Sequence, residues 1–264
     1  MANSWNSSAD AYDRFENKWK MYTQVALLMS KYMPKRKYSL ILDIACGTGA
    51  ATFAFSQSYK EGKIIGIDSS YGMLNVAKTK AKIKKLKNVQ FIRSDASKFP
   101  KLTSKKFDAV ICNAGFWQIK NKEKVLHNIR LILKHNGKFI FTIPVNSVKG
   151  GFDEAGWKKE TLKVFEKYKV RIKINKKKAK MPLWKLLKKA NFRVVTSKMV
   201  KFKSPLKMLI EWNSVPIFTY KGNGILISEK VDPKLAKIVR DQLSRWLYKK
   251  YPTSAWRVVV CKPN

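Results

Sequence analysis

The turn that follows residues 40–44 constrains the fold more than any other feature of this sequence. An apolar run, Leu40–Ile44, leads into a turn that carries Gly47 and Gly49, and a helical pattern begins directly after it. Glycine allows backbone dihedrals that side chains forbid and lets a ligand approach the chain closely. The free N–H groups at the start of the helix suit a carboxylate or a phosphate. This order predicts a ligand site at the carboxyl end of a strand in an open α/β sheet.

Short apolar runs and helical patterns alternate along most of the chain. Strands are predicted at 40–44, 64–67, 89–92, 107–112, 138–143, 192–200 and 255–261. This rhythm predicts the α/β class: a Rossmann-like, doubly wound, mostly parallel seven-stranded sheet with helices on both faces. Apolar residues at helical spacing over 8–32 predict one long N-terminal helix. Gly137 is expected to end the helix predicted over 121–134.

The composition excludes some classes of protein but does not identify the function. The chain has 56 Lys+Arg against 17 Asp+Glu, a net charge of +39, which suggests an acidic partner such as nucleic acid, an anionic membrane face or an acidic carrier protein. The excess is nearly all lysine and is spread through most predicted helices, which favours a compositional origin. The densest run, 169–180, is interpreted as a solvated loop. A hydrophobic content of 45% suffices for a folded core and excludes a disordered basic tail.

The cysteine spacing and the start of the chain argue against several kinds of site and of targeting. Cys46, Cys112 and Cys261 are far apart and form no CxxC pair, which argues against a zinc ribbon or a thioredoxin site and fits a reducing compartment. No metal site is predicted. The start of the chain lacks a secretory signal pattern, and no apolar run is long enough to span a membrane. We therefore expect a cytoplasmic protein, with peripheral attachment to a membrane left open.

Three acidic residues mark successive strand ends behind the glycine-rich turn. Asp43 and Asp68 close the first and second predicted strands, and Asp95 follows the third. Gly47 and Gly49 do not continue into the G-x-G-x-x-G spacing of dinucleotide sites, which disfavours an NAD-dependent oxidoreductase. A carboxylate at the second strand end is suited to accept hydrogen bonds from ribose hydroxyls.

These segments resemble the class I S-adenosylmethionine-dependent methyltransferases, in particular the small-molecule branch related to ubiquinone/menaquinone biosynthesis. The resemblance covers about residues 10–143 and plausibly the final strand. It rests on LDIACGTG at 42–49, GIDSSYGML at 66–74, SDA at 94–96, FDAVICNAGFWQI at 107–119 and LILKHNGKFIFTIP at 131–144. Ala45 departs mildly from the pattern, because many members carry glycine there.

The resemblance implies S-adenosylmethionine as cofactor and a role for each matched residue. Asp43 would lie near the methionine amino group, Asp68 would bind the ribose hydroxyls, and Asp95 would accept from the adenine amine. Asn113 would stand beside the reactive methyl group. The full set of implied cofactor-binding residues is Asp43, Ala45, Cys46, Gly47, Gly49, Asp68, Ser69, Met73, Asp95, Ala96 and Asn113.

On this basis we expect one methyltransferase domain over residues 1–264. Its predicted parts are a helical cap at 1–35, a cofactor-binding core at 36–144, lid-forming insertions at 145–182 and 203–250, and the rest of the sheet at 183–202 and 251–264.

The acceptor is less defined than the cofactor. Five aromatic residues are predicted to line an apolar acceptor pocket: Tyr12, Trp19, Phe116, Trp117 and Trp212. No catalytic residue is identified, since transfer from a sulfonium mainly requires alignment. The stretch 113–117 contains no proline, which counts against amino methylation of nucleic-acid bases. We expect a small hydrophobic or carrier-borne acceptor; the alternatives are an RNA methyltransferase using the basic surface and a non-catalytic cofactor-binding protein of the same fold.

Overall fold

The computed structural model describes residues 5–99, 104–145, 154–170, 172–174, 182–221, 225–227, 231–250 and 253–264. Seven strands form one sheet: β1 (Leu40–Ile44), β2 (Lys63–Asp68), β3 (Val89–Arg93), β4 (Phe107–Cys112), β5 (Leu133–Pro144), β7 (Phe192–Lys203) and β9 (Thr253–Pro263). Their order in the sheet is β3-β2-β1-β4-β5-β9-β7. Strand β9 pairs antiparallel with both β5 and β7, and β1 to β5 are mutually parallel. The predicted fold class is confirmed.

Helices cover both faces of this sheet. They are α1 (Ala9–Trp19), α2 (Met21–Leu27), α3 (Ala50–Ser56), α4 (Tyr71–Ile83), α5 (Lys122–Ile132), α6 (Glu154–Lys167), α7 (Leu183–Lys189), α8 (Leu206–Asn213), α9 (Pro216–Lys221) and α10 (Pro233–Lys250). Strand residues alternate between two apolar layers. Leu42 packs with Phe139 and Phe141 on one side, whereas Ile41 packs with Phe55 and other residues on the opposite side. Burial on both faces explains why the central strands are almost continuously apolar.

The N-terminal helix differs from the single long helix that the sequence predicts. The chain breaks at Lys20, whose φ of 51° is left-handed, and α2 starts at the next residue. The buried Glu16 carboxylate accepts hydrogen bonds from the Tyr22 and Thr23 amides at 2.9 and 2.8 Å. This carboxylate satisfies the free N–H groups at the start of α2, so it stabilises the break.

The start of β5 is also a correction. Helix α5 ends at Ile132 and the chain is already extended at Leu133, so Gly137 lies inside β5 and does not cap the helix. A Cβ at Gly137 would lie 2.9 Å from the Lys134 carbonyl oxygen and 3.0 Å from that of Phe107. The glycine is therefore required by close backbone approach.

The two insertions are joined to each other. A short strand from each, β6 (Ile172–Ile174) and β8 (Ile225–Ile227), pairs antiparallel in a separate two-stranded sheet. Val164 and Phe165 of α6 pack with Val239 and Leu243 of α10 in a cluster of their own. Of the basic run 169–180, residues 171 and 175–180 lie outside the described residues. Within the described part of the chain, no helix combines the length and the apolar character needed to cross a membrane.

Candidate functional site

The glycine-rich turn at the carboxyl end of β1 has an unusual backbone. Ala45, Gly47 and Gly49 have φ values of 54°, 56° and 90°, all in the left-handed region. The Cys46 amide donates to the Ile67 carbonyl at 3.0 Å, which ties the turn to β2. A Cβ at Gly49 would lie 2.5 Å from the Phe53 ring, so this position accepts only glycine without rearrangement.

Asp68, at the end of β2, fixes the turn from the side. One of its carboxylate oxygens accepts from the Gly47 amide at 2.9 Å, and the other accepts from the Ser70 amide at 2.8 Å. Burial raises the pKa of Asp68, while the hydrogen bonds from Ser70 and Gly47 act in the opposite direction. This single carboxylate therefore connects the glycine-rich turn to the start of α4.

Asp43, at the end of β1, is only partly satisfied. Its side chain is 1% exposed. The Thr52 hydroxyl donates to Oδ2 at 2.7 Å, but Oδ1 has no hydrogen-bond partner. Burial, reinforced by the nearby charge of Asp68, raises the pKa of Asp43 to about 7. A buried carboxylate oxygen without a donor is costly, so this atom indicates a position for a ligand that donates hydrogen bonds.

A small, partly open cavity adjoins this carboxylate. Its volume is about 30 Å³. Pockets for ligands of cofactor or drug size are roughly 300–1,000 Å³, so the cavity is too small for such a ligand in this conformation. Its lining residues are Tyr12, Tyr22, Asp43, Ala45, Cys46, Gly47, Ala50, Ala51 and Asn113.

The N-terminal segment covers the cavity. The Gly72 amide and the Ser70 hydroxyl donate to the Asn6 side-chain oxygen at 3.0 and 2.7 Å, which fastens the segment to the start of α4. The rings of Tyr12 and Tyr22 stack at 5.1 Å between centroids above the turn. Access for a larger ligand therefore requires that this segment move.

Asn113 uses both ends of its amide within the protein. Its nitrogen donates to the Tyr22 carbonyl at 2.8 Å, and its oxygen accepts from the Thr142 hydroxyl at 2.8 Å. The Thr142 hydroxyl accepts in turn from the Ala114 amide at 2.8 Å. Asn113 thus links the ends of β4 and β5 to α2.

Four other predicted residues, like Gly49 and Asp68, are not part of the cavity lining. The Ser94 amide donates to the Asp68 carbonyl at 3.0 Å, which brings the loop after β3 next to β2. In that loop the Ser97 amide donates to Asp95 at 2.7 Å, and hydrogen bonds from the Ser97 side chain and backbone lower the pKa of Asp95. The four residues are Ser69, Met73, Asp95 and Ala96.

The predicted aromatic residues do not form one pocket. Tyr12 lines the cavity. The prediction for Phe116 is corrected: its side chain is fully buried in the sheet core against Phe139 and Phe141, because the turn after β4 directs it inward. The Trp117 indole donates back to the Ala114 carbonyl at 3.0 Å and the ring is exposed.

Trp19 and Trp212 act behind the lining. The Trp19 indole donates to Glu211 at 2.7 Å, and the Trp212 indole donates to the Tyr22 hydroxyl at 2.8 Å. These contacts fasten α8 to the N-terminal helices. Tyr22 itself was missed as a site residue, because its helical spacing is equally typical of a core position.

The thiols offer no nucleophile. Cys46, Cys112 and Cys261 are buried and unpaired with one another, and burial raises the pKa of each. Neutral thiols are poor nucleophiles. Among the described residues, no cluster of three or more His, Cys, Asp or Glu side chains could hold a metal ion.

Comparison with known proteins identifies the family. The family profile described as "Methyltransferase domain" matches residues 35–211. The chain belongs to this methyltransferase family. The predicted enzyme class and cofactor, methyl transfer from S-adenosylmethionine, are confirmed at the level of the family.

Two curated relatives illustrate the range of acceptors within it. The demethylmenaquinone methyltransferase of Lactococcus lactis is 36% identical over 52% of this chain and 55% of its own length. The malonyl-[acyl-carrier protein] O-methyltransferase of Bacillus cereus is 29% identical over 52% of this chain and 50% of its own length. The chain spans about half the length of the curated relatives it matches.

A solved structure supports the fold alone. Phosphoethanolamine N-methyltransferase 2 of Haemonchus contortus, in complex with phosphomonomethylethanolamine and S-adenosylhomocysteine, superposes with a TM-score of 0.60 at 18% identity. The match covers 98% of this chain and 58% of that protein.

Proposed function

We propose that this protein transfers a methyl group from S-adenosylmethionine to a small acceptor that is hydrophobic or borne on a carrier. The observation that carries the proposal is the unpartnered, buried Oδ1 of Asp43 beside the left-handed turn. The buried Asp43 carboxylate lines the cavity, the partly buried Asp68 carboxylate holds the turn beside it, and burial raises the pKa of each. Such a site favours a cationic ligand, because a positive charge relieves both carboxylates. Asp43, beside the glycine-rich turn, would repel the pyrophosphate of NAD, whereas a carboxylate at the position of Asp68 suits the ribose of either cofactor.

The residues present fit the cofactor. Asp43 would accept from its ammonium group, and Gly47 and Gly49 would leave room for it against the backbone. Asp68 would accept from the ribose hydroxyls with the lone pairs that its two amide donors leave free. Asp95 would accept from the adenine amine, and Ser69, Met73 and Ala96 would border the ring. Bound S-adenosylmethionine supplies a methyl group on a sulfonium, whose sulfur is a good leaving group.

The remaining lining residues would position the acceptor. Asn113 stands at the end of β4, where the resemblance places the reactive methyl group, and Tyr12 and Tyr22 cover the cavity from the side of the N-terminal segment. Burial raises the pKa of both Tyr22 and Tyr12 well above the usual value. Both hydroxyls therefore stay protonated and can orient an acceptor but cannot act as bases at neutral pH. An acceptor that ionises readily suits this arrangement.

Labelled S-adenosylmethionine tests the proposal directly. The purified protein is incubated with the methyl-labelled cofactor and a native cell extract, and label is counted in the organic, RNA and protein fractions. Label in the organic phase, or on a carrier from which hydrolysis releases it, is expected. Label confined to an RNase-sensitive fraction would favour the RNA methyltransferase, and cofactor binding without any transfer would favour the non-catalytic alternative.

Asp68→Ala tests the cofactor site. We expect the affinity for S-adenosylhomocysteine to fall at least about tenfold, because a hydrogen bond to a charged group contributes roughly 1.5–3 kcal/mol and this variant loses more than one. Calorimetric titration measures the change. Asp108→Ala is the matched control: its carboxylate also accepts from a backbone amide, that of Leu40 at 2.8 Å, but at the opposite edge of the sheet. Equal affinity in the two variants would contradict the assignment.

A further inference from the structure

The two edges of the sheet differ sharply in charge. We define the basal face as the segments at the amino ends of the parallel strands: 31–39, 60–63, 84–88, 104–106, 133–138 and 261–264. They contain fourteen Lys and Arg and a single acidic residue, Glu61. Asp108, at the start of β4, adds a carboxylate at this edge and pairs with Lys134 at 2.8 Å. The described segments at the cofactor edge, 5–22, 45–49, 68–70, 94–99 and 113–121, contain five of each sign. The basal segments therefore carry +13 of the net charge of +39, and the cofactor-edge segments carry none of it.

Contacts within the basal face bring its lysines close together. Phe139 of β5 pairs with Cys261 of β9, which brings their chain neighbours Lys138 and Lys262 to the same end of the two strands. The pKa of Lys138 is lowered by burial and by the charges of Lys262 and Lys35. The Lys138 ammonium donates to the Tyr32 carbonyl at 3.0 Å, and the Lys106 ammonium donates to that of Leu131. These cations are partnered by backbone carbonyls and crowd one another, an arrangement that does not help the fold.

Large apolar side chains project from the same face. Tyr38, in the loop before β1, is 64% exposed. Ile83, at the end of α4, is 74% exposed, and Leu131, in the last turn of α5, is 48% exposed. Both helices run toward the amino ends of the strands that follow them, so these side chains lie among the basal lysines.

We propose that the basal face docks onto an anionic lipid bilayer. Lysines near such a surface are attracted by its negative potential, and isolated apolar side chains can enter the boundary between headgroups and acyl chains. Thirteen of the fourteen cations are lysine, whereas phosphate recognition in nucleic acids favours the planar fork of arginine. Exposed Ile83 and Leu131 also have no role in binding a phosphate backbone. The inference goes beyond the proposed function and does not rest on it.

This docking has a defined orientation. The cofactor edge lies at the carboxyl ends of β1 to β4, on the opposite side of the molecule from the basal face. A protein bound by its basal face would hold the candidate site toward the aqueous phase. The attachment would therefore concentrate the protein at the membrane without delivering the acceptor from that bilayer.

Vesicle sedimentation with two matched variants tests the proposal. The basal variant is Lys35→Glu, Lys37→Glu, Lys84→Glu and Lys87→Glu; the control variant is Lys159→Glu, Lys163→Glu, Lys198→Glu and Lys201→Glu. All eight lysines are exposed, and the variants have the same net charge. The native protein is expected to bind vesicles of phosphatidylcholine with phosphatidylglycerol and not phosphatidylcholine alone. The basal variant is expected to lose at least about tenfold in binding and the control variant much less.

A second variant separates lipid from nucleic acid. Tyr38→Ser with Ile83→Ser keeps every charge, so it is expected to lower vesicle binding several-fold and leave binding to an RNA oligonucleotide unchanged. Equal losses in the two lysine variants would overturn the proposal, because binding would then follow net charge alone. It would equally be overturned if RNA bound through the basal face and vesicles did not bind.

Discussion

At the scale of single residues, Asp43 shows a conflict between stability and binding. Its pKa rises from 3.8 to about 7 on folding, so the folded protein prefers the carboxyl protonated. The stability that this preference contributes is present in full below the unfolded pKa and is lost as the pH rises through about 7. A ligand ammonium reverses the preference, because it stabilises the ionised carboxylate. The ionised Asp43 thus destabilises the ligand-free protein, whereas it contributes to the affinity for a bound cation.

Asp43→Asn is expected to separate these two effects. The variant should be more stable than the native protein at pH 8, by on the order of 1–2 kcal/mol, because it no longer buries a charge. Its stability should also depend less on pH between 5 and 8. Denaturant titrations of the ligand-free protein at several pH values measure this. A variant less stable than the native protein at pH 8 would show that the carboxylate has a donor.

The native protein should bind S-adenosylhomocysteine more weakly as the pH falls. With a pKa of about 7, Asp43 changes from mostly ionised at pH 8 to mostly protonated at pH 6, so the affinity should fall about tenfold. The raised pKa of Asp68 acts in the same direction. Asp43→Asn should abolish most of this dependence, and calorimetry at pH 6 and 8 checks both. An affinity independent of pH in the native protein would remove Asp43 from the ligand contacts.

Sequence patterns predicted these carboxylates but not their surroundings. Asp43, Gly47 and Asp68 could be placed because their spacing is tied to strand ends, which the topology brings to one edge. Tyr22 could not be distinguished from a core residue, since a helix that faces a small cavity and one that faces the core have the same periodicity. Phe116 was misplaced for a different reason: an aromatic residue that follows a strand can turn toward either face of the sheet.

At the scale of elements, the N-terminal segment was the least predictable. The apolar spacing over 8–32 continues through Lys20, so periodicity predicts one helix. The break depends on Glu16, which caps amides six and seven residues away. Hydrophobic spacing does not predict such a contact. Strand and helix cores elsewhere were predicted well, because each buries a continuous apolar stripe. The joining of the two insertions by β6 and β8 pairs residues 51 to 55 positions apart and has no local signal.

Gly72→Ala should open this segment without unfolding the core. A Cβ at Gly72 would lie 2.6 Å from the Asn6 carbonyl oxygen, so alanine must displace the start of the chain. Alanine favours the helix α4 itself. We expect faster tryptic cleavage at Arg14 and Lys18, with the thermal midpoint changed little. Asn75→Ala, at an exposed position of the same helix, is the control, and cleavage rates equal in both would mean that Asn6 does not hold the segment.

At the scale of the whole molecule, the topology places the basal lysines at the opposite edge of the sheet from the candidate site. The sequence provides a net charge of +39, but only the strand order shows that the basal face holds +13 of it. The scatter of lysines along the chain favours a compositional origin when the sequence is considered alone. Residues distant in the chain, such as Lys35, Lys138 and Lys262, are neighbours only in the folded sheet. Their crowding was therefore outside what linear spacing can predict.

Self-repulsion should make the stability depend on salt. Raising NaCl from about 20 to about 300 mM shortens the screening length and should stabilise the native protein by roughly 1 kcal/mol or more. The basal variant with four glutamates should gain less, because it has less repulsion to screen. Thermal unfolding at several salt concentrations, repeated in KCl, measures the effect. A native protein that salt leaves unchanged or destabilises would mean that these charges are already compensated.

The small cavity also has a consequence for the rate of turnover. Because the cavity covered by residues 5–22 has a volume of about 30 Å³, cofactor and product can exchange only when this segment moves. Movements of this kind take microseconds to milliseconds, and release of product often limits enzymes that depend on them. Under the proposed function, the break at Lys20 would then set the residence time of S-adenosylhomocysteine. Substitutions at Glu16 or Asn6, far from the transferred methyl group, would alter catalytic throughput through product inhibition.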